Sequence, residues 1–88
     1  MTFKIERAHS SKVTTLRLIG RLDFECLGEL KGQVEHVGPQ VVLDLGEVEL
    51  VDLEVVRFLN ACQNNGAEIA NCSPYIRGWM LRERKPGA

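Results

Sequence analysis

Apolar residues in this chain follow two rhythms. From Thr2 to Ala8, Phe3 and Ile5 alternate with Lys4 and Glu6, the period-two signature of a half-buried strand. The polar turn His9-Ser10-Ser11-Lys12 follows, and Val13 to Ile19 alternates again, with Val13, Leu16 and Leu18 as its apolar markers. Two such runs about a short polar loop predict an antiparallel hairpin, which Gly20 closes. After Arg21-Leu22 the rhythm changes to helical spacing: Phe24, Leu27, Leu30, Val34 and Val37 mark one stripe, with Asp23 as N-cap. Gly28 and Gly32 share a face of that helix, either as a close-approach surface for a neighbour or as tolerated glycines costing about 1 kcal/mol each relative to alanine. Gly38-Pro39 is a stop signal.

The stretch Val41–Asn64 carries the most information. Val41, Val42, Leu43 and Leu45 form a short apolar run suited to a strand buried on both faces. Gly46 and an acidic loop then lead to Asp52. From there Val55, Val56, Leu59 and Cys62 recur at helical spacing, with Glu54, Arg57 and Asn60 mostly on the other side. Asn64-Asn65-Gly66 stops this helix. A short strand is expected over Glu68–Asn71. Ser73-Pro74 then reads as N-cap plus first-turn proline of a last helix, which packs through Tyr75, Ile76, Trp79 and Met80.

Strands alternating with helices call for parallel pairing and right-handed crossovers. The expectation is one α/β domain over 1–88, ordered from about residue 2 to 84 with 85–88 as a tail. Its sheet is four-stranded and mixed, an antiparallel N-terminal hairpin followed by parallel strands, with about three packed helices. In open α/β sheets partners and ligands meet the carboxyl ends of strands and the helix starts beyond them. That places the candidate surface at Asp23 and from Asp52 through Leu53, Glu54 and Arg57 to Asn60, with Asp44 near the end of the central strand.

Composition narrows the chemistry. The 88 residues have 44% hydrophobic and 26% charged side chains and a net charge of −1. No basic excess favours nucleic acid or an anionic membrane. No apolar run approaches the about eighteen residues needed to cross a bilayer. The N-terminus lacks the basic-then-apolar order of a secretion signal. Cys26, Cys62 and Cys72 form neither a disulfide framework nor a CxxC site, so a reducing, cytoplasmic setting is expected. His9 and His36 have no partner at metal-ligand spacing, and no glycine-rich phosphate loop is present, so no cofactor is expected. Two readings compete with a binding module. In one, Asp23, Asp44 and Asp52 converge on a divalent cation rather than capping helices. In the other, Cys62 and Cys72 form a thiol redox pair.

Taken together, Gly20-Arg21-Leu22-Asp23 closing the hairpin, the strand Val41-Val42-Leu43-Asp44-Leu45, the helix start Val51-Asp52 and Cys72-Ser73-Pro74 before the last helix resemble the STAS domain, over roughly residues 3 to 82. That resemblance implies a non-catalytic, bacterial regulatory module of the anti-sigma-factor-antagonist kind, binding an anti-sigma-factor kinase. An alternative within the same resemblance is a subunit attached to the ATPase of a lipid-handling ABC transporter. Antagonists of this type begin the helix after the central strand with an Asp-Ser-Ser-Gly type sequence whose serine is phosphorylated. Here the stretch is Asp52-Leu53-Glu54-Val55, with Glu54 in the serine's place, so no switch is expected at that position. Glu54 is then either a partial phosphoserine mimic or a favourable first-turn residue paired with Arg57. The chain is also shorter than many such relatives at its C-terminus, where a bare sheet edge or apolar face invites a partner or a second copy.

Overall fold

The computed structural model describes residues 3–38 and 40–84. β1 (Phe3–Ser10) and β2 (Val13–Leu22) form an antiparallel hairpin, followed by a 3-10 turn (Phe24–Cys26) and α1 (Leu27–Val37). β3 (Val41–Val51), α2 (Leu53–Asn64), β4 (Glu68–Ala70) and α3 (Pro74–Arg84) complete the order. The sheet runs β1-β2-β3-β4, with β1–β2 antiparallel and both β2–β3 and β3–β4 parallel. Both crossovers step the same way across the sheet, so right-handed connections put α1 and α2 on one face. The core agrees: Leu16, Leu18, Leu22, Val41, Leu43 and Leu45 share one cluster with Leu27 and Leu30 of α1, Val55, Val56 and Leu59 of α2, and Ile76 and Met80 of α3. Each fully buried leucine contributes about 1.5–3 kcal/mol relative to an exposed one. The other sheet face carries Lys4, Glu6, Arg17 and Glu47, joined by ion pairs of 3.3, 3.7 and 3.4 Å.

Several boundaries depart from the sequence expectation. The hairpin loop is only Ser11-Lys12, with Ser11 at φ 55°, because both strands run further than expected. β3 continues to Val51 in place of an acidic loop after Gly46. It is held by β2, whose residues 19–22 pair with residues 47–51 of β3. Two irregularities absorb the length difference: Arg17 faces Asp44 while Ile19 faces Glu47, and Gly20 faces Val48 while Arg21 faces Leu50. At the first, the Gly46 amide donates to Asp44 Oδ1 at 2.9 Å, and a Cβ on Gly46 would sit 3.2 Å from that oxygen. β4 is also shorter than expected, because Asn71 at φ 56° turns the chain away.

Phe24 lies outside the apolar stripe and is 63% exposed, because the chain enters α1 through the 3-10 turn and the helical phase starts only at Leu27. Gly28 and Gly32 have open space where a Cβ would be, so they receive no close neighbour. Gly38 at φ 86° caps α1 through its amide to the Val34 carbonyl, whereas the Pro39 and 85–88 expectations fall outside the described residues. Ser73 Oγ accepts from the Ile76 amide at 3.2 Å, the expected start of α3. Tyr75 is exposed, so Ile76, Met80 and half-buried Trp79 do the packing. Among the described residues no helix is long and apolar enough to cross a membrane.

Candidate functional site

Two chain segments arrive together at the carboxyl end of the sheet. β2 ends at Leu22, opposite Val51 of β3, so Asp23 and Asp52 leave neighbouring strands side by side. Each caps the helical turn that begins immediately after it. Asp23 Oδ1 accepts from the Glu25 amide at 3.1 Å, and Asp52 Oδ1 accepts from the Val55 amide at 3.0 Å. Such caps satisfy donors that a helix start leaves free. Asp52 does more: its Oδ2 accepts from the Phe24 amide at 2.9 Å. One carboxylate therefore fixes the start of α2 and the 3-10 turn before α1.

Beyond these caps the surface is mixed. Leu53 is half-buried, and Glu54 is exposed in the first turn of α2, where a negative charge is favoured by the helix dipole. Arg57 reaches Glu54 at 3.8 Å and Glu83 of α3 at 3.6 Å. Such exposed pairs contribute at most about 1 kcal/mol each and leave the charges free to meet a partner. Phe24 and Leu50, 63% and 48% exposed, add large apolar side chains at the same end. The sequence reading missed both. Phe24 matched the apolar stripe by spacing, and Leu50 sat in what read as a loop.

Asp44 and Asn60 are placed differently. Asp44 stays within β3, where Oδ1 also accepts from Asn71 Nδ2 at 3.0 Å. These bonds from Asn71 and Gly46, with Arg17 nearby, hold its carboxyl below the usual carboxylate range against a small opposing effect of burial. Asn60 is buried on the α3 side of α2. Its Nδ2 donates to the Met80 carbonyl at 3.0 Å, and Oδ1 has no partner among the described residues. Asp23 and Asp52 thus come together, whereas Asp44 lies within β3 and Asn60 is buried against α3. Among the described residues no group of three or more His, Cys, Asp or Glu is arranged to hold a metal ion.

The three thiols are free. Burial pushes Cys62 up to about 11. Burial raises Cys72 as well, against a small opposing effect of Arg77. Cys26 is also raised, first by burial and then by the charge of Asp23, although the Asp23 carbonyl accepts from Sγ at 3.0 Å. A thiol held high is a poor nucleophile at neutral pH. His9 Nδ1 lies 2.9 Å from Thr14 Oγ1, so it is engaged at the hairpin rather than beside a cysteine.

No protein-family model matches the chain, and no curated protein matches it. Among solved structures it is similar to the anti-sigma factor antagonist SpoIIAA in its unphosphorylated form. The TM-score is 0.71 at 14% identity, over 91% of this chain and 82% of that one. The architecture is a STAS-like fold.

Proposed function

We propose that this chain is a non-catalytic protein–protein interaction module that works as an anti-sigma-factor antagonist does, and that its partner is a kinase of the histidine-kinase-like ATPase type. The observation that carries this reading is the paired helix start. Asp52 locks the 3-10 turn and α2 together, and Leu53, Glu54, Arg57, Phe24 and Leu50 stand around it. Asp23 and Asp52 act as positioning residues, and the contact is made by their neighbours. The fold shared with an anti-sigma factor antagonist supports the class of partner.

In this reading the surface is permanently in one charge state. Residues 52–64 contain no hydroxyl side chain, so a kinase cannot phosphorylate α2 at serine, threonine or tyrosine. Glu54 supplies one negative charge where a phosphoserine would supply nearly two. The test is titration calorimetry against the histidine-kinase-like ATPases of the host, with Leu53→Ala and Glu54→Arg beside the native chain. Weakening of at least tenfold by either substitution, with an unchanged melting temperature, supports the proposal. Binding indifferent to both, or turnover of a small molecule by the pure protein, overturns it.

A further inference from the structure

The outer edge of the sheet is an eight-residue strand with no bulge, no proline and, among the described residues, no second neighbour. β1 pairs with β2 in unbroken register from Phe3↔Gly20 to Ser10↔Val13, and β2 is its sole strand neighbour among the described residues. A long, regular, open edge is a template for pairing with another chain. Natural edges are usually interrupted, and this one carries only charges.

The hairpin determines which backbone groups face outward. A two-residue loop makes Ser10 and Val13 its closing hydrogen-bonded pair, so Lys4, Glu6, Ala8 and Ser10 bond to β2. The amides and carbonyls of Phe3, Ile5, Arg7 and His9 are left for the open edge. The side chains divide in the same way. Phe3 and Ile5 pack against the core and Arg7 reaches Gln33 of α1 at 2.7 Å, so this set faces the helices. Lys4 and Glu6 lie on the other face, 68% and 43% exposed.

Two copies joined antiparallel through β1 in one continuous sheet are related by a two-fold axis perpendicular to that sheet. Opposed residues must share a face, so the axis passes through a residue. An axis through Glu6 sets Glu6 against its own copy, and one through Arg7 sets Arg7 against its own copy. An axis through Ile5 opposes no charge with itself. It sets Lys4 against Glu6 of the second copy, and Glu6 against Lys4, with Ile5 on Ile5 and Phe3 on Arg7 across the helix-side face. We infer that β1 is a self-association edge that joins two copies of this chain in the register centred on Ile5. The Lys4–Glu6 cross-strand pairs select that register, and the Ile5 amides and carbonyls bond reciprocally.

Charge reversal reads out the register. Lys4→Glu and Glu6→Lys each turn two attractive cross-strand pairs into repulsive ones, so either variant alone associates at least about tenfold more weakly than the native chain by sedimentation equilibrium. An equimolar mixture of the two variants restores both pairs and associates as tightly as the native chain. Because the mixture contains the same two polypeptides, its recovery separates association from any effect on folding. Hydrogen exchange at the Phe3, Ile5 and Arg7 amides slows with concentration in the native chain and in the mixture only. Four results overturn the inference: a native chain monomeric at millimolar concentration, a dimer indifferent to both reversals, a mixture no tighter than its components, or edge amides protected only by an added foreign peptide.

Discussion

Asp52 Oδ2 accepts from the Phe24 amide across 28 positions of sequence, while Oδ1 of the same carboxylate caps its own helix at Val55. Two oxygens on one planar group thereby fix the relative placement of two helical starts. Neither start needs a residue of its own for that alignment. The neighbouring Asp23 caps only the 3-10 turn.

The two roles of Asp52 separate by substitution. Asp52→Ala removes both bonds and is expected to cost about 2 kcal/mol in urea unfolding, the upper end for a lost N-cap. Asp52→Ser keeps a cap for Val55 but has no second acceptor in reach of Phe24, so it recovers roughly half of that loss. In both variants the Phe24 amide exchanges quickly with deuterium. Serine restoring slow exchange at Phe24 would refute the bridging role.

Asp44 makes stability depend on acid pH. Its folded pKa is lowered, chiefly by the Asn71 amide and the Gly46 N–H. A lowered folded pKa stabilises the native state fully above the unfolded value of about 3.9 and is lost as pH falls through the folded value. The native chain is therefore expected to be more stable than Asp44→Ala at pH 7, with the gap closing as pH falls below about 4. Parallel urea midpoints for the two proteins between neutral and acid pH check this. A gap that widens in acid contradicts it.

Among the described residues Asn60 donates and accepts nothing: Nδ2 meets the Met80 carbonyl while Oδ1 is buried without a partner. A buried polar atom without a partner costs about 1–3 kcal/mol, so removing it offsets the loss of the bond. Asn60→Leu is expected to lie within about 1 kcal/mol of the native chain, because leucine keeps the branched outline, fills the site and removes the stranded acceptor. Asn60→Ala also opens a void and is expected to cost about 2 kcal/mol or more. Thermal unfolding of the pair decides the point, and equal losses would mean that the bond to Met80 dominates.

The thiols are expected to be quiet. With Cys62 pushed up to about 11, and Cys26 and Cys72 also raised, iodoacetamide at pH 8 labels the native chain slowly. All three react promptly once guanidinium unfolds it. Labelling of Cys62 as fast in the native as in the unfolded chain would revive the redox reading.

The sequence pattern was most legible where a single period ran undisturbed. The β1 alternation, the Leu16 and Leu18 positions of β2, the α2 stripe Val55-Val56-Leu59-Cys62 and the caps Asp23, Asp52 and Ser73 appear in the structure as read. Val13, expected as an apolar marker of β2, is instead exposed, and Thr14 takes the buried position. What escaped lay where the period breaks. The core-side positions of β3 run Val41, Leu43, Leu45, then Val48 and Val51, a spacing of two that becomes three at each irregularity. A spacing of three does not look like a strand, so Glu47–Leu50 read as an acidic loop and Leu50 passed unnoticed. Phe24 failed for a related reason, since a 3-10 entry turns a residue at helical spacing out to water. The bonds of Asp44 and Asn60 escaped as well, because their partners Asn71 and Met80 lie at least twenty positions away in the sequence.

The two extra residues of β3 have a consequence for the length of the gene product. A strand that carries surplus positions against its neighbour has slack, and slack can be taken up without disturbing what lies on either side. Deleting Glu49, the residue skipped between Gly20↔Val48 and Arg21↔Leu50, leaves Leu22 opposite Val51 and hands the chain to α2 at the same place. Deleting Leu43, which has a partner on both sides, falls before either irregularity and throws Asp44 and Leu45 onto the wrong face.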